Sequence, residues 1–288
     1  MRFACISAFC AIVSHDLPAQ DWNAVDSALG RKGAVQPGEV IKYSFPRSDL
    51  QVSARGVKLE PAFALGSWIA FKRIPDGSMA MGDLVLTDEE VARVIVKLQE
   101  AGIEQTALHN HLIGESPRVM YMHISAHGDA LKIANGIHAA LAVTGTPLKA
   151  SAAAPTPAIE IDTAAVAAAL GYHGRMNGRV YQVSVPRRER IVENGMEIPP
   201  SMGLATAINF QPTGTGKAAI TGDFVMTAGE VNRVIRALEK NNIQPTGLHS
   251  HMLDETPRLF FMHFWANDNA VALARGLAAA LKEMDVSR

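Results

Sequence analysis

The chain has 288 residues, of which 48% are hydrophobic and 19% are charged, and its formal net charge is −1. This composition is typical of a packed globular protein and argues against a disordered or collagen-like chain. Because 27 Lys and Arg are balanced by 28 Asp and Glu, the chain has no overall positive field, and we expect no nucleic-acid partner.

Residues 1–20 have the pattern of a secretory signal peptide: a basic residue, an apolar run of 11 residues and a small-residue cleavage site. We expect cleavage near Ala19 or Gln20 and a periplasmic or secreted protein. The apolar run is too short to cross a bilayer, which takes about 20 residues, so we expect no transmembrane segment. Both cysteines, Cys5 and Cys10, lie in this segment, so the mature chain would have no disulfide and no thiolate ligand.

The remainder of the chain contains one unit twice. Residues 102–126 and 242–266 match at a constant offset of 140, and Gly82-Asp83 recurs as Gly222-Asp223 at the same offset. A segment rich in Pro, Ala and Thr separates the two copies. We therefore predict a signal peptide, repeat 1, a linker and repeat 2 at residues 1–20, 21–145, 146–159 and 160–288, respectively.

Within each repeat, strand-like runs precede a capped helix. The capping box Thr87–Glu90 is followed by apolar residues at helical spacing, and the helix is predicted to end at Gly102. The other predicted elements of repeat 1 are strands at Val40–Phe45, Gly66–Phe71, Leu84–Leu86, Thr106–Ile113 and Arg118–Ala126, and a helix at Leu131–Leu141. Strands followed by a β-α-β-β-α order predict an α+β fold, in which helices pack on one mainly antiparallel sheet per repeat.

Six histidines occupy equivalent positions in the two repeats: His109, His111, His123, His249, His251 and His263. Alternation along a strand would place His109 and His111 on one face, and a hairpin centred near Pro117 would place His123 opposite His111. Three imidazoles would then converge in each repeat. Three neutral nitrogen donors make a metal site that leaves a fourth position for water or substrate.

Zinc is the expected ion, with copper, manganese and iron as alternatives. The competing interpretation is structural: paired histidines on a sheet can bond backbone carbonyls or stack on aromatic rings. The sequence leaves open whether the repeats hold separate ions or share one cleft.

Glu115 and Glu255 follow the paired histidines in both repeats, and we predict that they act as general bases, orient an imidazole or supply a fourth metal ligand. The alternative for each is a solvent-exposed turn carboxylate. Arg118 and Arg258 could bind an anionic substrate, or pair with the nearby glutamate.

Arg47 and Arg187, and Asp83 and Asp223, also recur in both repeats. We interpret them as structural turn residues, with a supporting role behind the metal ligands as the alternative.

The segments at 65–71, 82–87 and 106–123 resemble the LppY/LpqO family, named after mycobacterial lipoproteins and described as a domain of unknown function. The resemblance implies an exported, duplicated protein and no settled reaction. A weaker resemblance is to the cupin motif His-x-His-x(3)-Glu…His, matched by His109, His111, Glu115 and His123. It implies a cupin-like choice of ligands, whereas the last spacing is too short for the strands of a cupin barrel.

These patterns together predict an exported metal-binding protein with a three-histidine site in each repeat, acting as a zinc-dependent hydrolase or hydratase. Two other hypotheses remain at this point. One is a non-catalytic envelope protein that binds an anionic or sugar ligand, and the other is a metal storage or delivery protein. The small-molecule ligand and the oligomeric state are not predicted.

Overall fold

The computed structural model of the chain describes residues 22–149 and 161–287. The predicted signal peptide at 1–20 lies outside the described residues, and so does most of the predicted linker. Within the described ranges, no helix is long and apolar enough to cross a membrane.

Repeat 1 forms one six-stranded sheet, with strand order β1-β2-β5-β6-β9-β7 and antiparallel neighbours throughout, and a small three-stranded sheet, β4-β3-β8. Its elements are α1 (Trp22–Leu29), β1 (Ala34–Gln36), β2 (Val40–Pro46), β3 (Ser53–Ala54), β4 (Val57–Lys58), α2 (Pro61–Ala64), β5 (Gly66–Ile74), β6 (Gly77–Thr87), α3 (Asp88–Glu100), β7 (Glu104–His109), β8 (Glu115–Ser116), β9 (Val119–Gly128) and α4 (Ala130–Leu141).

Repeat 2 has the same order, with a six-stranded sheet β10-β11-β14-β15-β18-β16 and a small sheet β13-β12-β17. Its elements are α5 (Thr163–Leu170), β10 (Arg175–Asn177), β11 (Val180–Pro186), β12 (Val192–Glu193), β13 (Met196–Glu197), a 3-10 turn (Pro200–Met202), β14 (Ala205–Gly214), β15 (Lys217–Thr227), α6 (Ala228–Lys240), β16 (Gln244–His249), β17 (Glu255–Thr256), β18 (Leu259–Asn269) and α7 (Ala270–Leu281). The predicted α+β class with two tandem repeats is confirmed.

Local sequence explains where helix α3 begins. Thr87 and Glu90 form the predicted capping box, in which each side chain bonds the backbone amide of the other residue, so that free amides of the first turn are satisfied. The apolar side chains of Val94 and Leu98 are buried against the sheet. Helix α6 begins in the same way at Thr227 and Glu230.

A buried arginine ties each capped helix to its sheet. Arg47 is fully buried, and it donates hydrogen bonds to the Val85 carbonyl at 2.6 Å and to Glu90 at 2.8 Å. In repeat 2, Arg187 makes the same bonds to the Val225 carbonyl and to Glu230, at 2.8 and 2.7 Å. These arginines are therefore interior anchors and not exposed turn residues.

The two faces of each sheet have different partners. In repeat 1, the Leu84 and Met122 side chains belong to the core formed with the helices. Val85 and Tyr121 point to the other face, where they pack in one apolar cluster with Trp265 of repeat 2. A second apolar cluster also combines residues of both repeats. The faces of the two sheets that lie opposite the long helices are thus packed against each other through these two clusters, with the short helix α2 between them.

Polar contacts also join the repeats. Gln211 accepts a hydrogen bond from the Glu60 amide at 2.8 Å and donates to the Lys58 carbonyl at 2.7 Å. The Thr246 hydroxyl donates to the His111 carbonyl at 2.6 Å, close to the predicted metal ligands.

The predicted strand at Thr106–Ile113 is too long. Strand β7 ends at His109, so His111 lies in the following turn, and His123 is opposite Ala107 instead of opposite His111. The reason is that the next segment leaves the large sheet: Glu115 in β8 pairs with β3, and the register of β7 is irregular between Gln105 and Ala107.

Candidate metal centre

The six predicted histidines come from three kinds of position, each used once per repeat. His109 and His249 end the strands β7 and β16, His123 and His263 lie within β9 and β18, and His111 and His251 lie in the turns after β7 and β16. His109 and Tyr121 are opposite each other, and side chains two residues apart share a face. His109 and His123 therefore point to the same face, which is the one turned toward the other repeat.

All six imidazoles meet between the two sheets as one cluster. They stack in three pairs, each with one ring from each repeat, and the ring centroids are 3.5 Å apart for His109–His249, 3.7 Å for His111–His263 and 3.6 Å for His123–His251. When each histidine is replaced by its equivalent in the other repeat, the pair His111–His263 becomes His251–His123. The pair His109–His249 remains the same pair. The cluster therefore has approximate twofold symmetry, and the histidines of the two repeats share one cleft.

The imidazole nitrogens form two overlapping groups of potential ligands. In each group, one nitrogen per residue lies within 4.8 Å of all the others; the groups are His109, His111 and His123, and His109, His249, His251 and His263. The first group contains the three histidines predicted for repeat 1, and the second adds His109 to the three predicted for repeat 2. His109 belongs to both.

The Nε2 atoms of all six rings are buried and have no hydrogen-bond partner among the described residues. Buried polar atoms in folded proteins are paired in the large majority of cases, so six unpaired nitrogens in one place require an explanation. The tautomer of His263 follows from one contact, because its Nδ1 lies 2.9 Å from the Gly222 carbonyl. A carbonyl can only accept, so Nδ1 carries the proton and Nε2 keeps its lone pair, as in histidines that bind metals.

Burial keeps these imidazoles uncharged. It lowers the pKa of His109 to about 4 and, together with the nearby His109 ring, that of His249 to about 3. For the other four histidines, burial and the neighbouring imidazoles hold the pKa well below its usual range. The rings are therefore neutral at pH 7, which is the form that coordinates metal ions.

Asp83 and Asp223, which the sequence analysis interprets as turn residues, face the cluster. Asp83 lies in β6 with Oδ1 3.9 Å from His123 Nε2, and Asp223 lies in β15 with Oδ2 3.7 Å from His251 Nε2. Burial raises the pKa of Asp83 to about 8 and that of Asp223 well above its usual range. Oδ1 of each is buried without a hydrogen-bond partner in the described part of the chain. Their recurrence at the same offset as the histidines was the signal that could have identified them.

The space beside the cluster is small. A cavity of about 20 Å³ is bounded by His123 and His251 and by apolar side chains that include Trp68, Met81 and Met252. This volume is enough for about one water molecule. His109, His111 and His249 are partly exposed, whereas His123, His251 and His263 are buried, so the cluster is nearest to solvent at the ends of β7 and β16 and at the turn after β7.

Comparison with known proteins places the chain in a family. The sequence model of the family described as "Domain of Unknown Function (DUF1259)" matches residues 23–143 and again residues 164–283. The chain belongs to this family. The two matches confirm the duplication, and each matched segment contains one set of three histidines and one aspartate of the centre. The family description assigns no function.

The other comparisons add little. No curated protein matches the chain. Among solved structures, the trimeric bacterial microcompartment shell protein PduB is 12% identical over 89% of this chain and 95% of its own, with a TM-score of 0.23. The protein EtuB from Clostridium kluyveri is 11% identical over 88% of this chain and 90% of its own, with a TM-score of 0.21. Both scores are too low to support an argument about this DUF1259 protein.

The predicted catalytic glutamates lie outside both groups of potential ligands. The Glu255 side chain is fully buried; it accepts hydrogen bonds from the Leu259 amide at 2.8 Å and from Arg258 at 3.2 Å. Glu115 is partly buried and has a longer contact, 3.5 Å, with the Val119 amide. Burial raises the pKa of Glu115 to about 7. Both glutamates hold the turn that carries the histidines.

The two predicted substrate-binding arginines differ from each other. Arg258 pairs with Glu255 and donates to the Leu253 carbonyl at 2.7 Å, so it matches the alternative of an internal ion pair. The Arg118 side chain is 60% exposed and donates to the Asn110 side chain at 3.2 Å. Each arginine therefore donates hydrogen bonds to residues of its own turn.

Proposed function

We propose that this protein binds transition-metal ions, zinc in the first instance, at the histidine cluster between its repeats. Two observations carry the proposal: all six Nε2 atoms are buried without partners among the described residues, and the rings form two groups whose nitrogens lie within 4.8 Å of one another. Neutral imidazole is a preferred ligand of zinc, and of copper, iron and nickel as well. A bound cation would give these nitrogens the partner that the protein itself does not supply.

The alternative interpretation, in which the histidines have only a structural role, explains the ring contacts but not the unpartnered Nε2 atoms. The rings of His111 and His251 do stack on Tyr121 and Phe261, with centroids 3.3 and 3.6 Å apart, and Nδ1 of His263 does bond a carbonyl. These contacts position the rings, however, and they leave every Nε2 free to act as a ligand. Contacts of this kind orient the histidines of metal sites.

As the activity, we propose hydrolysis or hydration of a small substrate. A bound zinc ion lowers the pKa of its water toward about 7 and so supplies hydroxide at neutral pH. Asp83 and Asp223 are the carboxyl groups next to the imidazoles, so in this proposal they take the proton-handling role that we had predicted for Glu115 and Glu255.

Metal storage or delivery is a second candidate function. It is favoured by the cavity volume of about 20 Å³ beside His123 and His251, which leaves little room for a substrate larger than water. The partly exposed His109 and His249 would then be the first ligands that an entering ion meets. The hypothesis of an anionic or sugar ligand held by Arg118 and Arg258 has less support, because Arg258 is engaged by Glu255.

Export to the periplasm or medium is also a proposal, and it agrees with the resemblance to the LppY/LpqO family. It rests on the sequence of residues 1–20. The mass of the protein recovered from the periplasm of an expressing bacterium tests it, because cleavage near Ala19 or Gln20 removes a defined set of residues.

The test of metal binding is elemental analysis of untagged full-chain protein purified without chelators. We expect bound metal in the wild type and in the control His127→Ala, whose histidine is exposed and outside the cluster. We expect its loss in the double variant His111→Ala, His251→Ala. Equal metal contents in the double variant and the wild type would contradict the assignment.

A second experiment distinguishes turnover from storage. The zinc-loaded and metal-free proteins are compared in p-nitrophenyl acetate hydrolysis and in CO₂ hydration, and transfer of zinc to a competing chelator is followed in parallel. Catalysis that requires zinc supports the hydrolytic proposal. Zinc release without either activity supports storage or delivery.

A further inference from the structure

We propose that the cluster binds two metal ions, one on the three histidines of each repeat. This inference rests on the proposed metal binding and adds the number and arrangement of the ions.

The number of donors is the first argument. Six Nε2 atoms and the Oδ1 atoms of Asp83 and Asp223 are buried without partners within 22–149 and 161–287. Zinc in proteins almost always takes four ligands, and six is the usual octahedral number for other first-row ions. One ion would therefore leave some of these eight buried atoms unsatisfied, and each unpaired buried atom costs about 1–3 kcal/mol.

The symmetry of the cluster is the second argument. His109, His111 and His123 lie close enough to share one ion without any residue of repeat 2. The equivalent three histidines of repeat 2 are also mutually close in the second group. An ion bound by the first set would have ligands from repeat 1 alone. The approximate twofold symmetry then gives an equivalent set of ligands in repeat 2.

The overlap of the two groups places both ions in one chamber. His109 and His249 stack with centroids 3.5 Å apart, and His109 belongs to both groups of ligands. Each of the other two stacks also contains one ring from each repeat. The ions would therefore act as a pair and not as two remote sites.

Charge suggests what such a pair would bind. Two divalent cations held by neutral imidazoles carry four positive charges, and this concentration of positive charge favours an anion. The cavity of about 20 Å³ beside His123 and His251 limits that anion to the size of hydroxide. Two bound ions would supply stabilisation of the attacking and leaving oxygens of a displacement, as two-metal sites do in general.

The experiment is native mass spectrometry with elemental analysis of full-length zinc-loaded protein after removal of loosely bound metal. We expect two ions per chain in the wild type and in the control His127→Ala. One ion per chain in the wild type would overturn the dinuclear proposal but leave metal binding intact. A wild type that binds no metal would remove the proposed function itself.

Two matched double variants test where each ion lies. We expect His111→Gln, His123→Gln and the equivalent His251→Gln, His263→Gln each to retain one ion. Loss of all metal from both variants, with circular dichroism spectra like that of the wild type, would show a single shared ion. If either variant fails to fold, X-ray absorption of the zinc-loaded wild type decides: a metal–metal distance of about 3.5–4 Å is expected for a two-metal site, and its absence contradicts the pair.

Discussion

The two repeats carry the same histidines but fasten the following turn differently. In repeat 2, buried Glu255 accepts a hydrogen bond from the Leu259 amide at 2.8 Å and pairs with Arg258 at 3.2 Å. In repeat 1, the corresponding contact of Glu115 with the Val119 amide is 3.5 Å long, and Arg118 contacts Asn110 instead. The turn has thus diverged while the imidazoles it supports have kept matching positions, so the centre depends less on the turn than on the packing of the sheets.

A second difference lies on the shared face. Lys42 of repeat 1 lies 3.8 Å from the centroid of the Trp68 ring, and burial lowers its pKa to about 8. The equivalent Gln182 of repeat 2 donates hydrogen bonds to the Ala62 carbonyl at 2.8 Å and to Asn209 at 3.0 Å. The cavity beside the histidines is bounded by Trp68. The centre is therefore close to symmetric, but its surroundings are not.

The largest effects are expected where the repeats agree, at the buried arginine anchors. Arg47→Met and Arg187→Met each leave a buried glutamate without its partner, so each should lower the free energy of unfolding by about 3–5 kcal/mol. Chemical denaturation measures this. The control is Lys97→Ala, which removes an exposed ion pair with Glu100 and should change stability by less than about 0.5 kcal/mol. A loss below about 1 kcal/mol in either arginine variant would contradict the role of the anchor.

The aspartates test the symmetry of the centre itself. Asp83→Asn and Asp223→Asn should weaken metal binding about 10- to 100-fold, the usual cost of removing a group that supports metal ligands. Asp223 lies within 3.9 Å of two imidazoles and Asp83 within 3.9 Å of one. The Asp223 variant should therefore bind metal more weakly than the Asp83 variant. Competition with a chelator measures the affinity, and Asp88→Asn, whose side chain is 60% exposed, is the control. Unchanged affinity in both variants would exclude the aspartates from the centre.

The turn of repeat 2 should be sensitive to loss of its carboxylate. Glu255→Gln removes a buried charge that pairs with Arg258 and accepts from the Leu259 amide, and we expect a loss of about 1–3 kcal/mol in unfolding free energy. Thermal and urea unfolding measure it. A neutral effect would mean that the ion pair contributes nothing to this turn.

A smaller effect is expected at the ring behind the histidines. The Tyr121 hydroxyl donates to the Ala64 carbonyl at 2.8 Å, whereas repeat 2 has Phe261 at the equivalent position. Tyr121→Phe should therefore cost about 0.5–1.5 kcal/mol, the net value of one hydrogen bond, and leave the metal content unchanged. Loss of metal in this variant would show that the hydroxyl supports the centre.

The smallest change is one of pH dependence, at the turn of repeat 1. Burial raises the pKa of Glu115 from 4.5 to about 7, so over this range the native chain holds a proton that the unfolded chain releases. Stability from this group is therefore present at low pH and is lost as pH rises toward 7. Relative to the wild type, the Glu115→Gln variant should therefore have a higher free energy of unfolding at about pH 8 than at about pH 5. Denaturant midpoints at both values test this, and an equal difference at both would contradict it.

The sequence predicts best what neighbouring residues determine. The capping box at Thr87 was identified because its two members are three positions apart, and the helix it begins was confirmed. Strand β6 was predicted too short, as Leu84–Leu86 instead of Gly77–Thr87, because Gly82 and Asp83 interrupt its apolar pattern. As a result, Asp83 was interpreted as a turn residue.

The site was predicted in part. The six histidines were found from the repeat, and each predicted set of three does converge, although the register proposed for His111 and His123 was wrong. That the sets merge into one cluster depends on contacts between segments about 140 residues apart in the sequence, such as Thr246 with the His111 carbonyl. No local sequence pattern predicts such a contact, because the two segments are far apart in the chain and closing so long a loop costs conformational entropy.

The packing of the two sheets against each other has an evolutionary consequence. A protein with a single copy of this unit could build the six-imidazole cluster only by associating with an identical copy across a twofold axis, in an isologous dimer. Fusion of the copies makes that encounter intramolecular and independent of protein concentration. It also releases each half from the requirement of identity, and the divergence of Lys42 from Gln182 shows that the halves have used this freedom.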